Sequence, residues 1–145
     1  MFVNRRKVRI EWGDCDPAGI VYYPRYFAMF DHSTAMLLEV ATGYTKYQMR
    51  EAYDFVGFPM IDTGAKFMIP SKFGDDIVIE STISELGKSS FNISHKVWKG
   101  DALAIEAHEK RVWVGSHPDD PSKIKSKPIP NEVADKLRGK NTIEV

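Results

Sequence analysis

Between Glu11 and Pro24 the chain reads Glu-Trp-Gly-Asp-Cys-Asp-Pro-Ala-Gly-Ile-Val-Tyr-Tyr-Pro, which places carboxylates on a loop aimed at the start of an aromatic-rich helix. A helix N-terminus presents unpaired N–H groups and partial positive charge, so the oxyanion formed when a carbonyl is attacked can rest there. One such donor is worth about 2.7–4 kcal/mol of transition-state stabilisation where its removal has been measured. Pro24 has no N–H, which singles out the backbone N–H of Tyr23 as one candidate donor. Asp16, on the opposite side of that carbonyl, can act as nucleophile or activate a water. The pair predicts an acyl-transfer site. Read from the residues alone, Asp16 suits equally well the acceptor of an Asx turn or a helix cap.

The neighbouring groups carry weaker signals. Asp14 shares a side with Asp16 on an extended segment and suits hydrogen bonding within the loop. Cys15 has no dedicated His partner nearby and reads as structural. Asp31 and His32 lie about two turns into the helix, within reach of a pocket but equally suited to a salt bridge or a subunit contact. His95, His108 and His117 share no metal-ligand spacing with Cys15 or with one another, so no metal site is expected. No Gly-rich loop opens a helix in the phosphate-cradling arrangement.

These residues need elements to hold them. Val8, Ile10 and Trp12 alternate with Lys7, Arg9 and Glu11, which predicts a strand over 7–12, closed by the Gly13–Gly19 loop. Tyr23, Tyr26, Phe27, Phe30, Leu37, Leu38 and Ala41 recur at helical spacing, with Pro24 in the first turn and Gly43 at the end. Residues 44–56 suit a short second helix or a lid. Beyond Pro59 the period becomes two and predicts four more strands, through Phe67 and Ile69, then Ile77 to Ile83, Phe91 to Val97, and Leu103 to Ala107. Turns at 73–76, 85–88 and 99–101 are short enough for antiparallel hairpins. From about residue 117 the chain turns Pro-, Lys-, Asp- and Ser-rich, an exposed tail leading to a short helix near 131–137. The expected class is α+β, with one long central helix wrapped by a five-stranded antiparallel sheet in a single domain over 1–145.

Composition narrows the function. The 145 residues balance 20 Lys and Arg against 20 Asp and Glu, so no long-range positive field gathers nucleic acid. A lone cysteine and the lack of any apolar run near the ~20 residues of a membrane span point to a reducing, cytoplasmic setting without a membrane partner.

The Gly-Asp-Cys-Asp-Pro-Ala-Gly-Ile-Val run, followed by Tyr-Pro and the aromatic-rich helix, closely resembles the 4-hydroxybenzoyl-CoA thioesterases of the hotdog-fold superfamily. The likeness is specific over 11–24. It continues more loosely through Asp31, Gly57-Phe58-Pro59, Asp75-Asp76, Ser90-Phe91 and Glu109-Lys110-Arg111-Val112. The resemblance implies hydrolysis of an acyl-CoA, aromatic and 4-hydroxybenzoyl-like, to the acid and CoA, with no cofactor beyond the CoA of the substrate. It puts the catalytic carboxylate on Asp16 and the carbonyl-polarising amide on Tyr23. Substrate contacts fall on Phe58, Pro59 and Met60 and on Lys88, Ser89 and Ser90, with Asp31 and His32 behind them. It also implies sites shared across a dimer, and dimers paired into a homotetramer. Phe58 stands where the family has Thr, and Gly87-Lys88-Ser89 keeps one positive charge where the bacterial aryl-CoA enzymes can carry a basic cluster. Competing readings are a thioesterase for short or branched aliphatic acyl-CoA, and a hotdog module that binds acyl-CoA or acyl-carrier protein without hydrolysis. A hotdog dehydratase would be expected to use a His at the site, and this loop has none.

Overall fold

The structure, a computed structural model, describes residues 1–139 and the backbone of 142–144; the remainder of the expected 1–145 domain lies outside the described residues. In chain order the elements are β1 (Val3–Arg9), a 3-10 turn (Trp12–Asp14), α1 (Tyr23–Thr42), α2 (Lys46–Ala52), β2 (Met60–Phe67), β3 (Asp76–Leu86), β4 (Ser90–Lys99), β5 (Ala102–Val112), β6 (Val114–Ser116), β7 (Ile124–Ser126), α3 (Asn131–Leu137) and β8 (Thr142–Glu144). The five expected strands form an antiparallel sheet in the order β2-β5-β4-β3-β1, and the three-residue β8 adds in parallel outside β1. β6 and β7 make a separate two-stranded ribbon.

Two local expectations change. The first strand runs from Val3 to Arg9, and Trp12, expected on its buried side, sits in the 3-10 turn at 76% exposure against Phe73. Alternation there continued by chance beyond the residues that pair. The turns at 85–88 and 99–101 do close hairpins, but 73–76 does not: β2 pairs with β5, and β3 pairs with β1 and β4. A short turn signal fixes a change of direction, not the partner strand, and here the chain crosses the sheet.

α1 begins and ends as its sequence dictates. Pro24 occupies the first turn, where its missing N–H leaves no intrahelical bond unmade. At the other end Gly43 takes φ 78°, and its N–H donates to the Glu39 carbonyl at 2.8 Å. Tyr26, Phe30, Ser33, Thr34, Leu37 and Leu38 form the buried face. The helical layer holds more than α1: α2 starts with a capping box, in which Thr45 and Gln48 each accept the other's backbone N–H, and it buries Met49. The exposed stretch expected from 117 ends at Ile129, where the chain re-enters the core and α3 buries Val133, Ala134 and Leu137.

The interior is two apolar clusters with a polar belt between them. One cluster gathers Leu37, Leu38, Ile83, Phe91, Ile93 and Trp113 with α2 and α3; the other gathers Tyr26, Phe30, Ile77, Ile79, Val97 and Ile105. Between Ile79 and Ile83 stands Ser81, between Ile93 and Val97 stands His95, and between Phe30 and Leu37 stands Thr34, each buried to 1% exposure or less. Glu109 and Arg111 continue the belt along β5, which pairs with β2.

Candidate active site

Asp16 sits in a small hairpin tied to the start of α1. Asp14 and Glu11 hold the 3-10 turn by exchanging bonds, Glu11 N–H to Asp14 Oδ2 at 2.9 Å and Asp14 N–H to the Glu11 carbonyl at 3.1 Å. Cys15 and Val21 form an antiparallel bridge, the Asp16 N–H reaches the Ile20 carbonyl at 3.0 Å, and the Tyr22 N–H reaches the Asp14 carbonyl at 2.8 Å. The tip closes because Gly19 adopts φ 81° and its N–H returns to the Asp16 carbonyl at 2.9 Å. Val21 N–H then donates to the Ser71 carbonyl, anchoring the hairpin to the chain ahead of β3.

The Asp16 carboxylate is half-buried, and its Oδ1 accepts the Ala18 N–H at 2.9 Å, an Asx turn. Among the described residues its Oδ2 has no hydrogen-bond partner. The side chain lines two hollows, one of about 310 Å³ with Tyr22 and Arg25 and one of about 380 Å³ with Trp12 and Phe73. Tyr23 is the first residue of α1, so its N–H has no acceptor inside the helix. Its half-exposed ring meets Tyr22, Phe27 and Phe67 edge-on and borders a separate hollow of about 280 Å³ with Val21, Tyr26 and Ser71. Cys15 donates weakly to the Glu11 carbonyl at 3.7 Å, within the loop.

The other expected site residues gather elsewhere. Met60 opens β2 opposite Arg111, and the Pro59 carbonyl accepts the Val112 N–H at 3.3 Å. Ser90 opens β4 opposite Val112, the Ser89 carbonyl accepts the Trp113 N–H, and the Lys88 carbonyl accepts the Ile129 N–H, both at 2.8 Å. Asp31 joins this group through Arg111, at 2.8 Å from its Nη2. Phe58 is a core residue at 4% exposure, packed on Phe55 and Phe91, where a pocket-lining ring was expected. His32 is exposed beside Asp31. Tyr23 contacts Phe67 at one end of β2, and Met60 begins the other, about 23 Å away along an eight-residue strand. Within one chain, then, Asp16 and Tyr23 are together, and Asp31, Pro59, Met60 and Lys88–Ser90 are together, but the two groups are apart.

Sequence reasoning passed over what holds the second group. Arg111, 4% exposed, donates to Glu109 Oε1 at 2.8 Å, to the Phe58 carbonyl at 3.2 Å and to Asp31, binding β5, the segment before β2 and α1 in one guanidinium. Behind it, Glu109 accepts from Thr34 and lies 3.4 Å from His95 Nε2, while His95 Nδ1 meets Ser81 Oγ at 2.7 Å and its ring stacks on Phe30. Burial by itself drives the Glu109 carboxyl upward, but hydrogen bonds from His95, Arg111 and Thr34 and the charge of its neighbours bring it down to about 2. The signal was available: His95 falls in the series Phe91, Ile93, His95, Val97, and Glu109 and Arg111 in the series Ile105, Ala107, Glu109, Arg111, both on the core face.

Among the described residues no group of three or more His, Cys, Asp and Glu side chains is placed to hold a metal ion. Nor is any helix among them long and apolar enough to cross a membrane.

A family model described as the thioesterase-like superfamily matches residues 10–137. The 4-hydroxybenzoyl-CoA thioesterase of Pseudomonas sp. (strain CBS-3) is 33% identical over 111 residues, 72% of this chain and 78% of that protein. The solved structure of that enzyme superposes with a TM-score of 0.83 at 29% identity, covering 92% of this chain and 98% of the other. A gentisyl-coenzyme A thioesterase superposes with a TM-score of 0.78, also at 29% identity, covering 93% of this chain and 99% of the other.

Proposed function

Since the chain belongs to the thioesterase-like superfamily, as a thioester hydrolase of the hotdog fold, we propose that it hydrolyses the CoA thioester of an aromatic, hydroxybenzoyl-like acid with Asp16 as the catalytic carboxylate. The observation that carries this is the hairpin clamp: it fixes a half-buried carboxylate with a free oxygen on a loop bonded to Tyr22, the residue before the Tyr23 N–H that opens α1. In the reaction the thioester carbonyl oxygen rests on the Tyr23 N–H. Asp16 either adds to the carbonyl carbon itself, forming an anhydride that water cleaves, or takes a proton from the water that adds. The C–S bond breaks, the thiolate of CoA takes up a proton, and the acid is released. Heavy-oxygen water in a single turnover marks the anhydride route where label enters the Asp16 carboxylate, by water adding at the Asp16 carbon of the anhydride, which direct attack on the thioester never does.

The separated halves of the site support a dimer. β2 is an open edge of the sheet, and it exposes Met60, Ile61 and Phe67. An eight-residue edge with apolar side chains is a template for another strand. Antiparallel addition of a second copy of β2 brings the Phe67 end of one chain to the Met60 end of the other, so Asp16 and Tyr23 of one copy face the Asp31, Met60 and Ser90 group of its mate. Pairing of two such dimers into a homotetramer belongs to the same reading and is measured by mass in solution.

Asp16→Asn is the decisive variant. Asn keeps the Asx-turn acceptor for the Ala18 N–H and removes only the charge. Thiol release from a panel of aryl, short-chain and long-chain acyl-CoAs is expected to fall at least about a hundredfold at unchanged thermal stability. The Asx turn also favours a second reading, a non-hydrolysing acyl-CoA binder in which Asp16 only shapes the loop. Tight binding with no thiol release by the native chain, for every ester, would establish that reading instead.

A further inference from the structure

We infer that Arg25 selects the acyl group by receiving a second carboxylate on the acyl ring, so that the preferred substrate is the CoA monothioester of an aromatic dicarboxylic acid. The inference rests on the reading of Asp16 as the catalytic carboxylate of a CoA thioesterase and adds what the acyl group must carry.

The smaller of the two hollows that Asp16 lines has Arg25 and the Tyr22 ring in its wall. Backbone bonds hold these three residues relative to one another. Tyr22 N–H donates to the Asp14 carbonyl and Arg25 N–H to the Tyr22 carbonyl, both at 2.8 Å, which ties the first turn of α1 to the Asp16 hairpin. The hollow measures about 310 Å³, against the ~150 Å³ of an apolar cavity that takes benzene, so it has room for a substituted ring beside the half-exposed Tyr22 side chain.

The acids of the loop are engaged, and the base is not. Asp14 Oδ2 accepts the Glu11 N–H at 2.9 Å, Glu11 Oε1 lies 3.8 Å from Arg9 Nε, and Asp16 Oδ1 accepts the Ala18 N–H at 2.9 Å. Arg25 is exposed and forms no ion pair among the described residues, with Asp16 or with any other acid. Ala28 and Met29, three and four residues along α1, offer it none. Arg5, Arg9, Arg111 and Arg138, by contrast, each reach a carboxylate. A guanidinium that shares a hollow with the catalytic carboxylate, yet leaves it free, supplies what an anionic acyl group needs there. Without it a second carboxylate on the ring meets Asp16 as a like charge. With it the planar fork of N–H donors takes both oxygens of that carboxylate and fixes the orientation of the ring. A phenol hydroxyl, neutral at pH 7 with a pKa of about 10, draws less from the same fork.

The test compares 4-carboxybenzoyl-CoA with benzoyl-CoA, which share the nucleotide and differ only in the charge on the ring. The ratio of their kcat/KM values in the native chain is expected to favour the carboxylate at least about tenfold, and Arg25→Gln is expected to lower that ratio at least about tenfold. Gln forms helix as readily as Arg, so the first turn is kept. Arg25→Lys, which keeps the charge without the fork, is expected to fall between. A native chain indifferent to the carboxylate overturns the inference, as does a ratio unchanged by Arg25→Gln or an equal loss on both esters. Calorimetric binding of the two esters gives the ratio without turnover. If the native chain releases no thiol but binds the carboxybenzoyl ester more tightly through Arg25, the catalytic reading fails and the role of Arg25 stands; a binding preference that does not depend on Arg25 removes that role.

Discussion

At the Phe67 end of the sheet, Asp16 is placed by backbone: a bridge, a 3-10 turn and a glycine at positive φ close a hairpin whose members all lie within twelve residues. At the Met60 end, Asp31 is placed by side chains. A buried guanidinium reaches it from β5, 80 residues away, and is itself held by Glu109. The first device leaves a carboxylate oxygen free to react and uses almost no buried charge. The second ties down the buried charges of Glu109 and Arg111, and its contribution is to fix β5, α1 and the Phe58 segment relative to one another. Chemistry on a local hairpin and positioning from a buried network are different demands, and the chain meets them at opposite ends of one strand.

The largest effect expected from that contrast comes from blocking β2. If the two ends act on one substrate only when a second copy joins them, Ile61→Lys with Phe67→Lys should blunt the edge and yield a monomer by analytical ultracentrifugation. Thiol release should fall at least about a hundredfold, since each monomer then keeps half a site. A fully active monomer would show that Asp16 works without the Met60 end, and the comparison would lose its functional meaning.

Next in size is the removal of the guanidinium. Arg111→Met leaves the Glu109 carboxylate in the core without its bonded cation, a loss of about 3–5 kcal/mol by urea denaturation. Arg9→Met breaks an exposed pair with Glu11 and should cost less than about 1 kcal/mol. Similar costs for both would mean that the belt is no more than surface electrostatics turned inward.

The smallest and most graded effect is acid. Glu109 titrates at about 2 in the folded chain, below the value of about 4.3 for a free glutamate. The folded state therefore binds fewer protons, and the stability from this group is complete above about pH 4.3 and lost as the pH falls toward 2. Melting temperatures followed from pH 5 to pH 2 should decline, and Glu109→Gln should flatten the decline while lowering the starting point. A native slope retained in the variant would assign the acid sensitivity to other carboxylates.

The two ends also differ in how far the sequence discloses them. The Asp16 loop is legible because its physics is local: Asp and Gly at turn positions, Pro24 at the first turn and a run of helical spacing all speak within thirty residues. Strand identity in β3, β4 and β5 is legible for the same reason, through Ile77-Ile79-Ile83, Phe91-Ile93-Val97 and Ile105-Ala107. Partnership between elements is not local. The turn at 73–76 looks like a hairpin although β2 pairs with β5, and Trp12 extends an alternation that the sheet does not use. The belt is harder still, because a buried charge can be recognised only when its counter-charge is known, and Asp31, His95 and Arg111 meet only after folding. The burial of Phe58 is hidden for a related reason: a motif position names a place in the chain, while burial depends on Phe55 and Phe91 arriving beside it.

The belt has one more consequence, for alignment. Were α1 to slide one turn along the sheet, its greasy flanks would find other greasy residues and lose little, but Thr34 would leave Glu109 and Asp31 would leave Arg111, each stranding a polar contact of the belt. The least hydrophobic layer of the interior is thus what tells the helix where to stop.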